Sequence, residues 1–353
     1  MTLPRAPHHG PIFVVGANGS GSTLLRLMLD SHDRIAIPEE TGFLRLALAH
    51  TQVPYWELGD QWHRHLGLDD DGLYRSLQEF YGGLFTKYAE AHGKARWGDK
   101  TPFHVWHLDL ARRIFPDCVV VGIVRHPGAV VSSLQQRFGR GPEQALRHWR
   151  RSVTELLHAA ADAGDRCVVL RYEDLVTDPK PVMAALLEWL GEPWSDAVLA
   201  HHQVQPAAGA PRTVEGFTRT DRAIDPAEAD RWERSLSPRD REALLGPVAG
   251  LAALLGYDIA RTRPLGEFGV GEIPLLPGSA IAELRRQRAG GVDWAKRPQP
   301  TPENAPLRPP PPRLGGSAPS RPITPAPLRT AVGRRLPTPV RRWVNQRRAG
   351  RSR

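Results

Sequence analysis

The sequence predicts an α/β fold: a P-loop-containing parallel sheet flanked by helices in three layers, followed by a disordered C-terminal tail. Three observations carry this expectation. Short β-branched runs alternate with segments of helical period. The first of those runs leads through a Gly-rich turn into a helix. The composition also changes late in the chain: residues 285–353 hold 17 Lys+Arg against 2 Asp+Glu, whereas residues 1–284 hold 30 against 36.

In chain order, Ile12–Val15 reads as a short apolar strand and Gly16–Gly21 as the turn. Leu24, Leu25, Leu27, Met28 and Leu29 then give a helix apolar on most faces. Ile35–Ile37 reads as a second short strand. Over Gly72–Glu90, Leu73, Leu77, Phe80, Leu84 and Tyr88 recur at three- and four-residue spacing, the period of a helix. Phe103–Ile114 reads as another helix, closed by Pro116. Cys118–Val124 is a near-continuous β-branched run, as expected of a strand covered on both faces. Helices Ala129–Phe138 and Glu143–Ala163, a buried strand Cys167–Leu170, and helices Pro181–Leu190 and Pro238–Leu255 complete the pattern. The folded domain is expected over residues 10–258, with a partly ordered extension over 259–297 and a Pro/Arg-rich basic tail over 298–353.

The formal net charge of +9 belongs to the tail, so composition gives no reason to expect nucleic-acid binding by the folded domain. The tail has too few large apolar residues to offset its ordering entropy, hence the expectation of disorder. It reads as a solubilising segment. The sharper alternative is weak contact with anionic membranes through Arg341, Arg342, Trp343, Val344, Arg347 and Arg348. Cys118 and Cys167 are too few for a disulfide framework, which suits a reducing compartment. Residues 1–10 carry no apolar stretch of the signal-peptide kind and no segment has the ~20 apolar residues of a membrane span, so a cytoplasmic protein is expected.

Gly16-Ala17-Asn18-Gly19-Ser20-Gly21-Ser22-Thr23 lies between a buried strand and a helix, the context that a phosphate loop requires. Its glycines allow successive N–H groups to face an anion, the helix N-terminus adds its dipole, and Ser20, Ser22 and Thr23 supply hydroxyls. The spacing matches that of nucleotide triphosphatases except that Ser22 stands where their lysine would be. The loop is therefore suited to hold phosphate and poorly equipped for ATP hydrolysis. A plain strand–helix connection is the alternative, and the hydroxyl cluster disfavours it.

A second constellation begins at Arg125, at the C-terminal end of the Cys118–Val124 strand, where ligands bind in open α/β sheets. Ser133 and Arg137 follow on one face of the next helix. Arg, Ser and Arg converging at a strand end suit a separate phosphate, the alternative being surface arginines paired with carboxylates. His104, His107, Asp109 and His126 invite a metal reading, but they lie on different faces or elements and match no metalloprotease spacing, so no metal is expected.

Taken in order, these motifs resemble the sulfotransferase family that uses 3′-phosphoadenosine 5′-phosphosulfate, in its bacterial, tyrosylprotein-like branch. The strand–loop–helix at 12–29 is similar to the family's 5′-phosphosulfate loop, and Arg125, Ser133 and Arg137 to its 3′-phosphate motif. Trp97-Gly98-Asp99-Lys100-Thr101-Pro102 resembles its Lys-Thr-Pro element, and Arg171-Tyr172-Glu173-Asp174-Leu175-Val176-Thr177-Asp178-Pro179 a hallmark after a core strand. Asp230-Arg231-Trp232, Leu236-Ser237-Pro238 and Leu255-Gly256-Tyr257 fit the same branch. One position departs: Gly19 stands where the family usually carries arginine, leaving more of the charge on the phosphosulfate to Lys100.

The resemblance implies sulfuryl transfer to an acceptor hydroxyl or amine, with no metal. In Glu39-Glu40-Thr41, Glu40 is implied as the general base; the alternative is helix capping ahead of Phe43. Lys100 is implied as the cation on the leaving phosphate, with Ser22 and Thr23 beside it. Gly19, Ser20, Gly21, Tyr172, Thr220 and Arg231 complete the implied donor site, although Tyr172 could equally be a core aromatic. A P-loop kinase and an inactive nucleotide-binding module are the competing classes. The first lacks its lysine at Ser22, and the second is disfavoured by the presence of Glu40 and Lys100. Sugars, lipids, peptides and small metabolites all remain open as acceptors, chosen by the loops 51–71 and 203–219. The oligomeric state is not legible.

Overall fold

The computed structural model describes residues 10–51, 57–203, 223–235, 238–261 and 264. In order these form β1 (Ile12–Gly16), α1 (Ser22–Asp30), β2 (Ile35–Ala36), α2 (Phe43–Thr51), α3 (Asp70–Ala91), β3 (Arg96–Lys100), α4 (Leu108–Ile114) and β4 (Val119–Val124). There follow α5 (Pro127–Phe138), α6 (Pro142–Ala163), β5 (Cys167–Arg171), α7 (Tyr172–Thr177), α8 (Pro179–Leu190), α9 (Pro238–Leu245) and α10 (Ala249–Ala253). Short 3₁₀ turns connect several of them, including Pro102–His107 between β3 and α4. Most of the 259–297 extension, the whole 298–353 tail and Thr220 lie outside the described residues.

The five strands form one parallel sheet in the order β2-β3-β1-β4-β5. β1 is central, with Ile12 opposite Val119 on one side and Gly98 on the other. Alternate side chains of each strand enter different cores, as strand geometry dictates. Phe13, Val15, Val120 and Val124 pack with α3, α4 and α6, whereas Ile12, Val14, Val119, Val121 and Ile123 pack with α1 and α8. Both faces are thus covered, which is why these strands read as continuous apolar runs. Close packing on the first face requires Gly122: a Cβ there would fall 2.6 Å from Leu156 of α6. Cys118 and Cys167 are free and buried on that face, and burial pushes both thiols up to about 12.

Four expectations need correction. The helix expected over Phe103–Ile114 is a 3₁₀ turn followed by α4, because Pro102 opens it and its aromatic, β-branched run is a weak helix former. The long helix expected over Pro238–Leu255 breaks at Gly246-Pro247, where proline offers no N–H to continue it. In α3 the buried stripe is Leu73, Leu77, Tyr81, Phe85 and Ala89, while Phe80 and Leu84 are 59% and 52% exposed. Tyr81 and Phe85 win because each ring meets Phe43 at 5.1 Å between centroids. Finally, Pro179 starts α8 two residues earlier than expected, and α7 adds a turn of helix that apolar periodicity did not reveal.

Candidate active site

All five strands run the same way, so their C-terminal ends share one edge of the sheet. Reading across it gives Glu40 after β2, Lys100 ending β3, the Gly-rich loop after β1, Arg125 after β4 and Tyr172 after β5. Residues scattered over more than a hundred positions of sequence become one row.

The loop turns on two glycines with left-handed backbone, Gly19 (φ 88°) and Gly21 (φ 95°). Arg125 Nη1 donates to Gly19 O at 3.3 Å from one flank, and Asn18 N–H donates to His148 Nε2 at 3.1 Å on another. A Cβ on Gly19 would lie 3.0 Å from Ser133 Oγ, so an arginine here would meet both backbone strain and Ser133. That accounts for glycine at this position. Ser20 Oγ is wholly buried and has no hydrogen-bond partner among the described residues, an orphan group that suits a loop built to meet an oxyanion.

Next to it, the Arg125 guanidinium lies over the Tyr172 ring, 4.1 Å from its centroid, and Nη2 donates to Glu228 O at 2.9 Å. Arg125 Nε is buried and unpaired among the described residues. Tyr172 also packs against Gly21, where a Cβ would come within 2.2 Å of the ring. Tyr172 is therefore a core aromatic and a wall of the site at once. Ser133 and Arg137 share α5, with Arg137 exposed at its end. Arg231 pairs with Glu228 Oε1 at 2.8 Å, which joins it to Arg125 through one glutamate.

On the other side of the loop, Lys100 Nζ donates to Glu40 Oε1 at 2.6 Å and to Thr23 Oγ1 at 3.4 Å. The Lys100 side chain is 3% exposed and the Glu40 side chain 37%. Burial pushes the Lys100 ammonium below the usual lysine range, the Glu40 carboxylate pulls it back up, Arg26 pushes it down and Asp99 raises it. Glu40 does not cap α2. Thr41 Oγ1 takes the Phe43 N–H at 3.3 Å instead.

Sequence reasoning missed the supports of this row. His148 holds the loop from 130 residues away, and no local pattern distinguishes it from any other helical histidine. Behind Arg125, the buried Glu173 accepts from His126 N–H at 2.9 Å and from Tyr257 O–H at 2.7 Å. Trp232 stacks on His126 with ring centroids 4.5 Å apart. The motifs containing Glu173, Trp232 and Tyr257 were visible in the sequence, but their mutual contact was not. No cluster of three or more metal-ligating side chains occurs among the described residues.

His126 caps α5, its Nδ1 accepting the Gly128 N–H at 3.1 Å, and burial lowers its pKa to about 4. Its folded pKa lies below its unfolded value of 6.5, so its contribution to stability is complete above pH 6.5. That contribution is lost as pH falls toward 4. At roughly 1.4 kcal/mol per pKa unit, the loss between pH 6.5 and 5 is about 2 kcal/mol. Asparagine can keep the cap without titrating. Urea unfolding of His126→Asn should therefore show a pH 7-to-5 stability drop about 2 kcal/mol smaller than wild type; an equal drop would refute this origin. Glu173, whose pKa burial raises, acts in the opposite sense but is common to both proteins.

The family model described as "Sulfotransferase family" matches residues 11–196. Protein-tyrosine sulfotransferase 1 of Danio rerio is 30% identical over 260 residues, covering 70% of this chain and 72% of the relative. Protein-tyrosine sulfotransferase 2 of Gallus gallus is 29% identical over 261 residues, covering 70% and 69%. Among solved structures, the sulfotransferase domain from the Synechococcus PCC 7002 olefin synthase aligns with a TM-score of 0.53 and 26% identity. The alignment spans 73% of this chain and 99% of that domain.

Proposed function

Since this chain belongs to the sulfotransferase family, we propose that it transfers the sulfuryl group of 3′-phosphoadenosine 5′-phosphosulfate to an acceptor hydroxyl, with Glu40 as general base. The observation that carries this reading is the meeting of two anion sites at neighbouring strand ends. The glycine loop follows β1, Arg125 follows β4, and the two are joined by the hydrogen bond from Arg125 to Gly19 O. A donor with phosphate groups on the 3′ and 5′ positions of one ribose suits such a pair. Gly19–Thr23 would hold the 5′-phosphosulfate, Arg125, Ser133 and Arg137 the 3′-phosphate, and Tyr172 would orient the adenosine.

The Glu40 carboxylate takes the acceptor proton as the acceptor oxygen bonds to sulfur. The bond from sulfur to the bridging oxygen of the 5′-phosphate breaks, leaving adenosine 3′,5′-bisphosphate. Lys100 meets the charge that builds on that bridging oxygen. Its ammonium has three N–H groups; one faces Glu40 and one Thr23, so the third can turn to the leaving oxygen. Partial exposure of Glu40 lets an acceptor from solvent reach its carboxylate. The relatives' names make a tyrosine phenol in a peptide the natural acceptor to test.

Calorimetry tests the donor reading. The purified chain should bind adenosine 3′,5′-bisphosphate in preference to ATP with Mg²⁺. Arg125→Ala should weaken binding about 10- to 100-fold, the range for losing charge-assisted hydrogen bonds. Preference for ATP, or bisphosphate binding that ignores Arg125→Ala, would sink the reading.

A further inference from the structure

Asp99, Thr101 and His104 are wholly buried polar residues that the transfer step does not use. They flank Lys100, and all three reach the segment that follows Glu40. Thr41 Oγ1 donates to Asp99 Oδ2 at 2.6 Å, Gly42 N–H to Thr101 Oγ1 at 3.2 Å, and Leu44 N–H to His104 Nε2 at 3.3 Å. Because Nε2 accepts from Leu44 N–H, the ring proton of His104 sits on Nδ1. That nitrogen lies 2.9 Å from Asp99 Oδ1, out of line for a straight hydrogen bond.

A helix start leaves its first N–H groups without partners, and one Ser, Thr, Asp or Asn normally caps them. Here the N–H groups of Gly42, Phe43 and Leu44 go to Thr101, Thr41 and His104. Two of those three acceptors belong to the stretch that carries Lys100. The start of α2 is thus tied to β3 and its 3₁₀ turn on either side of the Glu40–Lys100 pair. A wholly buried carboxyl group is costly unless bonded; the short bond from Thr41 meets Asp99 Oδ2, while Oδ1 faces only His104 Nδ1 at 2.9 Å.

We propose that Asp99, backed by His104 and bonded to Thr41, is a positioning residue that sets the Glu40 carboxylate for proton removal. This rests on the reading of Glu40 as base. Glu40 sits on a connection between a two-residue strand and α2, where its placement would otherwise be loose. Misplacing a reacting group by about 1 Å can cost 10²-fold in rate. Neighbours in one hydrogen-bonded network also show non-additive effects on mutation.

Thr41 is an exposed residue whose hydroxyl bonds both Asp99 and the Phe43 N–H, so Thr41→Val removes these bonds while keeping the shape. With 3′-phosphoadenosine 5′-phosphosulfate and a tyrosine-containing peptide as probes, Thr41→Val should lower kcat about 10- to 100-fold. Its dissociation constant for adenosine 3′,5′-bisphosphate should be unchanged. Thr41→Ser, which keeps the hydroxyl, should restore kcat, and adding Thr41→Val to Asp99→Asn should cost little more than Asp99→Asn alone. A purely capping role would lower the melting temperature of Thr41→Val and spare kcat. Wild-type kcat in Thr41→Val, or a loss of nucleotide affinity as large as the loss of kcat, would overturn the proposal. Hydrogen exchange of the 42–44 amides, read without nucleotide, should be faster in Thr41→Val than in wild type, and unchanged protection would also overturn it. If instead the wild-type chain bound no bisphosphate while the amide effect appeared, the donor reading alone would fail.

Discussion

Replacing Glu40 by glutamine should lower turnover by about 10²- to 10⁴-fold, the range for removing a positioned general base. Glutamine keeps the length and one oxygen for the Lys100 hydrogen bond but cannot take the acceptor proton. The glycine loop and Arg125, the proposed donor contacts, lie toward the other side of the row, so affinity for adenosine 3′,5′-bisphosphate should change by less than about threefold, a ΔΔG under roughly 0.7 kcal/mol. Single-turnover transfer and calorimetry on one preparation separate these quantities. Full turnover in Glu40→Gln would remove Glu40 from the mechanism. Equal losses in turnover and affinity would give it a binding role.

Lys100→Met should be the second most damaging change, at about 10²- to 10³-fold in turnover, the range for removing one donor aimed at developing negative charge. Methionine occupies a similar buried volume without the ammonium, so folding should survive. Glu40, more than a third exposed, stays solvated when its partner is lost. The loss should appear mainly in kcat, because the proposed role calls on Lys100 only when the bridging oxygen becomes anionic. A variant with normal kcat and a raised KM would show instead that Lys100 only binds the donor. Burial lowers the Lys100 pKa, and the ammonium must be protonated to act. The alkaline limb of the wild-type pH–rate profile should therefore fall at lower pH than a solvated lysine would give, and Lys100→Met should lack that limb.

The fold was legible because its signals are local. β-Branched runs such as Val119–Val124 and the glycines of the loop report backbone geometry within a few residues. The helix errors were local as well: Pro247 interrupts a segment read as continuous, and α3 carries two overlapping apolar stripes of which the sequence cannot choose one. The site was legible only in pieces. Glu40, Lys100, Arg125 and Tyr172 could each be singled out by type, place and resemblance, yet nothing linear relates them.

Runs and turns a few residues long were enough to specify the parallel α/β architecture, a lysine-free glycine loop and the charged residues at the strand ends. Their order and their supports came from packing in three dimensions. It set Glu40 against Lys100, Arg125 against Gly19 and Tyr172, His148 against Asn18, and Asp99 against Thr41. The reason is that strand periodicity and glycine turns are properties of neighbouring residues. Side-chain convergence instead depends on the β2-β3-β1-β4-β5 order, which the packing of distant helices on two sheet faces selects.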